Sequence, residues 1–489
     1  MAEGLFRQKR HSAAALLILL LASFFQFHLA ARDNRFLPDE AFFMTFARGA
    51  AVKGAWLLPG PLDKPPLSIY LSALSMVLGA VTADADGVLQ LDAHVGEFAA
   101  MLPNALLALL LTALMMRLAG RLYSSAWAAV FAGLLTVASP YWLAYGASAF
   151  TDMSLLFCSA LALYCALTRR WAGAGLALGL AFWCKQQAVF IALLVMLLLL
   201  AGGGRRRDWL GLGLPLVIGG AALLIWDMAR PETSIFVQAA ANNAPDNWLA
   251  APSLWVERLV RWLGLGLGLL GPPPVTGVLL LGAAFASFRR AGAGWRMTSI
   301  ERALLIYIAG TIAVFAILQF NFYGRYLLLI LPPLIMLAAG RLARLPEAAA
   351  RGRGLRFGFV MLLLASAIWS VNRGGSLGAA RRVNDGLDHL AAHLNAKPIA
   401  TVIYDPWLGW ELGYYLGPWH DKRRVHYPTT AALVDGALAL DEAGDRYFIA
   451  PSDQAHEQWL AALRRAGFGV GVDYERNRFI VYRLRPPDD

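Results

Sequence analysis

The sequence predicts a polytopic α-helical membrane protein with about 11 transmembrane helices, interfacial helices in its first outer loop, and a small C-terminal extracytoplasmic α/β domain. Three observations carry that expectation. The 489 residues are 58% hydrophobic and only 15% charged, and the mean hydropathy is +0.53, far from the balance of a soluble domain. Apolar runs of spanning length recur from Ala13 to Val371, separated by short basic gaps. From Asn372 the pattern turns soluble, with apolar runs of strand length alternating with helix-like segments. The formal net charge of +11 does not point to nucleic acid, because the Arg and Lys residues collect in the gaps and so record the cytoplasmic side of a membrane.

The first span is expected at 12–31, entering from a cytoplasmic Arg-Gln-Lys-Arg; its long apolar core, with no small-residue cleavage site after it, reads as a retained helix. Residues 67–81 follow Pro65-Pro66 and are placed along the interface, since a crossing there would put Arg117 and Arg121 outside. Later spans are expected at 97–118, 125–143 and from Asp152 to just before Arg169. The 34 or so residues before Arg205 fit two short tilted helices, 172–183 and 188–200, with Lys185 at their outer turn. Further spans follow at 209–228, 262–285 and 303–319, then one opening at the turn 321–326, and a last at 357–371. This divides the chain into a membrane part, 1–372, and an extracytoplasmic α/β part, 373–489. In the latter, strands are expected at 399–404, 447–450 and 479–484, and helices at 381–394, 429–440 and 454–466. The three cysteines all belong to the apolar part and read as small fillers.

The chemistry-bearing residues gather at the outer ends of the spans. Asp39-Glu40 follows Pro38 at the start of an amphipathic stretch; a helix cap accounts for one acid there but not for two. Asp63-Lys64 precedes a double proline that fixes the backbone. Lys64, Lys185 and Arg325 each read either as snorkelling cations or as ligands for an anionic lipid phosphate. Asp152 opens a helix, where capping competes with function. Tyr323 and Tyr326 flank Arg325 as interfacial aromatics or substrate contacts. His94 and His420 have no spaced partners that would make a metal site.

The order Pro-Asp-Glu, Phe-Ala-Arg about eight residues on, Asp-Lys-Pro-Pro-Leu, a helix-opening Thr-Asp, a Lys between paired helices, and Gly-Arg-Tyr-Leu-Leu-Leu-Ile-Leu-Pro-Pro resembles the polyprenyl-phosphate-sugar-dependent glycosyltransferases of the C-type fold. These include the lipid A aminoarabinose transferases, the protein O-mannosyltransferases and the rhizobial galacturonosyltransferases. The resemblance covers about 16–340. It implies an inverting transferase that moves a sugar from a polyprenyl-phosphate donor to a lipid, glycan or protein acceptor, among membrane lipids, in a bacterial inner membrane with the N-terminus cytoplasmic and the C-terminal domain periplasmic. It implies catalytic carboxylates at Asp39 and Asp152, donor-phosphate binding by Lys64 and Lys185, and a divalent metal, with Asp63 as its ligand, as the one cofactor in view; position at the outer helix ends adds Arg325 to the donor-phosphate set and Glu40, Tyr323 and Tyr326 as substrate contacts. The aminoarabinose branch differs from this chain in having Arg-Tyr for Phe42-Phe43, Glu for Asp63, and Gly-Pro for Gln186-Gln187.

Two other readings compete. A transporter or flippase of a lipid-linked sugar predicts ionisable groups through the middle of several helices, and an O-antigen ligase or polymerase predicts its key residues on one large outer loop. Here the ionisable groups keep to the outer helix ends.

Overall fold

The computed structural model describes residues 2–243, 245, 247–291, 297–345, 350–417, 419–440 and 446–487, with backbone alone at 2–11, 287–291 and 350–351. Of the expected inner basic residues, Arg296 lies outside this set. The chain forms two compact units: Met1–Arg32, Leu57–Leu71 and Met101–Gly378 make the first, and Asp33–Trp56, Ser72–Ala100 and Ala379–Asp489 the second.

In chain order the helices begin with α1 (Ala2–Ala30), α2 (Pro38–Lys53), α3 (Leu67–Gly79), α4 (Ala93–Leu122), α5 (Ala126–Ala138), α6 (Pro140–Gly146) and α7 (Asp152–Leu167). Then come α8 (Trp171–Cys184), α9 (Ala188–Ala201), α10 (Arg206–Met228), α11 (Ile235–Asn243), α12 (Trp255–Gly266), α13 (Pro273–Ala291), α14 (Ser299–Ile317), α15 (Leu331–Leu342) and α16 (Ala350–Asn372). The tail adds α17 (Gly378–Arg381), α18 (Leu387–Asn395), α19 (Gly409–Leu416), α20 (Thr430–Leu438) and α21 (Glu457–Arg465).

Among the described residues six helices are long and apolar enough to cross a membrane, seven if the bent pair α5–α6 is one span. The count falls below the eleven expected because proline and length intervene. Ser139 is extended and Pro140 starts the next helix, so α5 and α6 meet at 65°. The single span expected at 262–285 is two helices, α12 and α13, parted at the run Pro272-Pro273-Pro274. The helices α3, α7, α8 and α9 are apolar but have only 13, 16, 14 and 14 residues.

Small residues and buried amides set the packing of the first unit. A Cβ on Gly175 would lie 2.2 Å from the Leu212 carbonyl, so α8 and α10 approach more closely there than any side chain allows. Asn104 on α4 donates to the carbonyls of Ser148 (2.8 Å) and Phe150 (2.6 Å), and accepts from Ser154 Oγ (3.0 Å). These bonds hold the loop that delivers Asp152 to the start of α7 in one conformation.

The second unit is built on a five-stranded mixed sheet. Its strands are β3 (Val402–Tyr404), β4 (Arg423–Val425), β5 (Arg446–Pro451), β6 (Gly469–Arg476) and β7 (Phe479–Arg485), in the order β4-β3-β5-β7-β6, following a separate hairpin β1 (Val81–Ala83) and β2 (Leu89–Leu91). β3 pairs in parallel with β4 and β5, and β7 pairs antiparallel with β5 and β6. The wholly buried β5 puts Phe448 and Ala450 against Leu460 and Leu463 of α21. The hairpin β1–β2 and the elements β4, β6 and α19 were not anticipated.

The turn before α2 is strapped to the tail. Glu40, fully buried, accepts from the Leu37 amide (3.0 Å) and pairs with Arg381 (2.6 Å). Asn384 donates to the Phe36 carbonyl (2.7 Å), and the Phe36 amide donates to the Tyr415 hydroxyl (2.8 Å). A buried carboxylate stripped of its cation is strongly disfavoured. Arg381→Met is therefore expected to lower the stability of this unit by about 3–5 kcal/mol, read by thermal unfolding of the detergent-purified protein. The double variant Glu40→Gln with Arg381→Met is expected to recover part of the loss, since no unpaired charge is then buried.

Candidate functional site

Loop 60–66 and the turn between α8 and α9 are joined in the first unit. The side-chain amide of Gln186 donates to the Asp63 carbonyl (2.9 Å), and Asp63 Oδ2 accepts from Lys64 Nζ at 2.7 Å. Asp63 is buried, so its chain direction is set by the tether on one side and by Pro65-Pro66 on the other. Farther back, Arg230 at the end of α10 donates to the carbonyls of Leu58 (3.1 Å) and Gly60 (2.7 Å). Its neighbour Asp227 accepts from Ser234 and from the Ile235 amide. Sequence reasoning missed both tethers. Gln186 had a visible signal, an uncapped polar residue beside a lysine at the turn of an apolar pair.

Lys185 Nζ donates to Asp152 Oδ1 at 2.7 Å, and both side chains are buried. The carboxylate of Asp152 goes to the lysine, and the N-cap residue Thr151 makes no side-chain cap bond, so capping does not explain this pair of residues. Lys185 also lies 5.8 Å from the Tyr326 ring centroid. The Arg325 guanidinium stands 5.0 Å from the Tyr323 ring, 6.0 Å from Tyr326 and 5.3 Å from Phe150. Gly324 is needed here, because a Cβ on it would lie 2.1 Å from the Tyr141 hydroxyl. Arg325 stacked among rings has its fork of donors held in one plane, a shape that suits a phosphate or carboxylate.

In the turn outside α8 and α9, burial pulls the Lys185 ammonium down to about 8; Asp152 opposes this, while the positive fields of Arg325 and Lys64 add to it. The three cations are thus close enough to feel one another. Two buried carboxylate oxygens, Asp63 Oδ1 and Asp152 Oδ2, have no hydrogen-bond partner. Such a place suits a ligand that brings an anion together with hydroxyl donors.

The structure therefore brings Asp63, Lys64, Asp152, Lys185, Tyr323, Arg325 and Tyr326 together in the first unit. Asp39 and Glu40 belong to the second. Asp39 is half-buried in the first turn of α2, where the helix dipole favours an anion, and Glu40 is occupied by the strap described above. Among the described residues no group of three or more His, Cys, Asp or Glu side chains could hold a metal ion. Asp63 pairs with Lys64 at 2.7 Å.

Comparison with known proteins follows this geometry. Residues 63–228 match the family model described as dolichyl-phosphate-mannose-protein mannosyltransferase, a segment that runs from Asp63 to the end of α10. ArnT from Cupriavidus metallidurans in its apo state superposes with a TM-score of 0.67 at 16% identity, covering 96% of this chain and 98% of that one. The same protein bound to undecaprenyl phosphate gives 0.63 at 18% identity, over 99% and 98%. This chain has their fold. The apo oligosaccharyltransferase of Archaeoglobus fulgidus gives 0.50 at 12% identity, over 96% of this chain and 74% of that one. No curated protein matches the sequence. The likeness agrees with the motif order that pointed to the C-type fold.

Binding of an anionic phosphate at this cluster is expected to weaken as pH rises from 7 to 9, with a midpoint near 8, because Lys185 loses its proton across that range. Titrating undecaprenyl phosphate onto the purified protein by intrinsic fluorescence checks this; Lys185→Arg, which keeps its charge, is expected to flatten the profile.

Proposed function

We propose that this chain is an integral-membrane, inverting glycosyltransferase that moves a sugar from a polyprenyl-phosphate donor to a lipid, glycan or protein acceptor. The observation that carries the reading is the convergence of Lys64, Lys185 and Arg325 around two lysine-paired carboxylates in one compact unit. The family match over 63–228 and the shared fold support it. In this reading the cations hold the donor phosphate and offset its charge as it leaves, so the leaving group needs no proton. The vacant oxygens of Asp63 and Asp152 accept hydroxyl groups of the substrate. Asp39 takes the proton of the acceptor hydroxyl as that oxygen attacks the anomeric carbon, the role implied by the family resemblance. We place the protein in a bacterial inner membrane, with its N-terminus cytoplasmic and its tail periplasmic; the basic gaps support this orientation.

Asp39→Asn is expected to reduce release of polyprenyl phosphate by at least about a thousandfold without changing donor binding, measured with purified protein, donor and acceptor; wild-type turnover by this variant removes Asp39 from the mechanism. Because Asp63 orients Lys64 in this scheme, chelation by EDTA is expected to leave turnover unchanged, and a requirement for added divalent cation would return Asp63 to the role of metal ligand.

A further inference from the structure

In the first unit, where the last turns of α4 and α15 meet the first residues of α5 and α14, lies a cavity of about 280 Å³. Asn104 of α4 is bonded to the loop before Asp152, and from there to Leu122 on the cavity wall the helix rises about 27 Å, close to the thickness of a hydrocarbon layer. The cavity therefore lies near the membrane surface opposite the Lys185 cluster. Its wall is polar. Arg344 donates to Glu301 Oε1 at 3.2 Å and Arg341 to the same oxygen at 2.7 Å, so two guanidiniums share one fully buried carboxylate. The Arg344 side chain is 20% exposed, within reach of a ligand, and its guanidinium stands 5.5 Å from the Tyr123 ring centroid. A Cβ on Gly340 would lie 2.1 Å from that ring, so only glycine lets Tyr123 lie against α15. The buried Tyr123 hydroxyl is near Glu301 yet makes no hydrogen bond of ordinary geometry. Ser125 Oγ accepts from the Ala128 amide at 3.3 Å, which leaves its proton for another acceptor. A guanidinium fork beside two hydroxyl donors suits a phosphate.

The neighbouring surface favours a phosphate carried on a lipid. Ser125 also lines a second cavity, of about 480 Å³, between α1, α4 and α5, where Ala15, Leu19, Ala113 and Met116 form an apolar groove with Arg117 and Arg121 at its wall. Next to it on α1, Leu16 and Leu20 are 58% and 57% exposed, as on a lipid-facing surface. Basic pockets between helices that adjoin such a groove take the headgroups of anionic lipids.

We propose that these adjoining cavities hold one anionic phospholipid of the leaflet opposite the Lys185 cluster, its phosphodiester against Arg344, Tyr123 and Ser125 and an acyl chain in the groove beside α1. No residue of the donor-phosphate set takes part. The proposal needs the chain to span a membrane and stands whether or not it transfers a sugar.

The test is native mass spectrometry of the full-length protein, delipidated in detergent, with dioleoyl phosphatidylglycerol, dioleoyl phosphatidylcholine and inorganic phosphate as probes. Phosphatidylglycerol is expected to bind at least about tenfold more tightly than either of the others. Arg344→Gln is expected to weaken it about tenfold. Tyr123→Phe removes one hydroxyl and keeps the ring, and is expected to weaken it about threefold at an unchanged unfolding temperature. Ala15→Trp fills the groove from α1 and is expected to abolish phosphatidylglycerol binding while leaving undecaprenyl phosphate binding as it was. Equal affinity for inorganic phosphate and phosphatidylglycerol would overturn the lipid component and make this a free-phosphate site, and equal affinity for phosphatidylcholine would overturn the preference for an anion. Unaltered phosphatidylglycerol binding in all three variants, or its displacement by undecaprenyl phosphate, would overturn the proposal altogether. If the variants shift binding as expected but wild-type protein releases no polyprenyl phosphate, the transferase reading fails while the lipid site stands.

Discussion

A charge withdrawn from water needs compensation, and two buried ion pairs show how this molecule supplies it. In the first unit it joins Lys185 to Asp152; in the second it joins Glu40 to Arg381. Replacing a buried pair by apolar groups is often harmless or stabilising, whereas removing one member is costly. Such pairs are therefore better explained by what they position than by what they add to stability. Lys185–Asp152 fixes a cation at the turn of an apolar helix pair, and Glu40–Arg381 fixes the first turn of the helix that carries Asp39.

The same constraint separates residues with a task in the fold from residues open to a ligand. Glu40 spends its oxygens on the Leu37 amide and on Arg381. Asp63 and Asp152 each spend one oxygen on a lysine and keep another buried and unmatched. A protein interior seldom tolerates such groups without a compensating partner. In the first unit these oxygens stand beside the cations Lys64 and Lys185.

Much of this was legible in the sequence, because hydropathy and the distribution of arginine and lysine report directly on what faces lipid. The paired short helices around Lys185 were foreseen almost to the residue, since both basic flanks had to be satisfied within about 34 positions. The break between α12 and α13 was not, although three prolines mark it; local apolarity outweighed the backbone signal. In the tail, the fully buried β5 stood out as an apolar run, while β4 and β6, edge strands with mixed polarity, did not. The tethers from Gln186 and Arg230 depend on tertiary neighbours far away in the chain, and no periodicity announces them.

The brevity of α8 and α9 has a consequence for the surrounding lipid. Fourteen residues rise only about 21 Å, whereas the hydrocarbon layer is about 30 Å thick. The bilayer must pucker inward to meet them or leave their ends below the headgroup plane. On the transferase reading proposed above, the deformed membrane would then share the energetic work of drawing a lipid-borne anion out of its hydration shell toward Lys185.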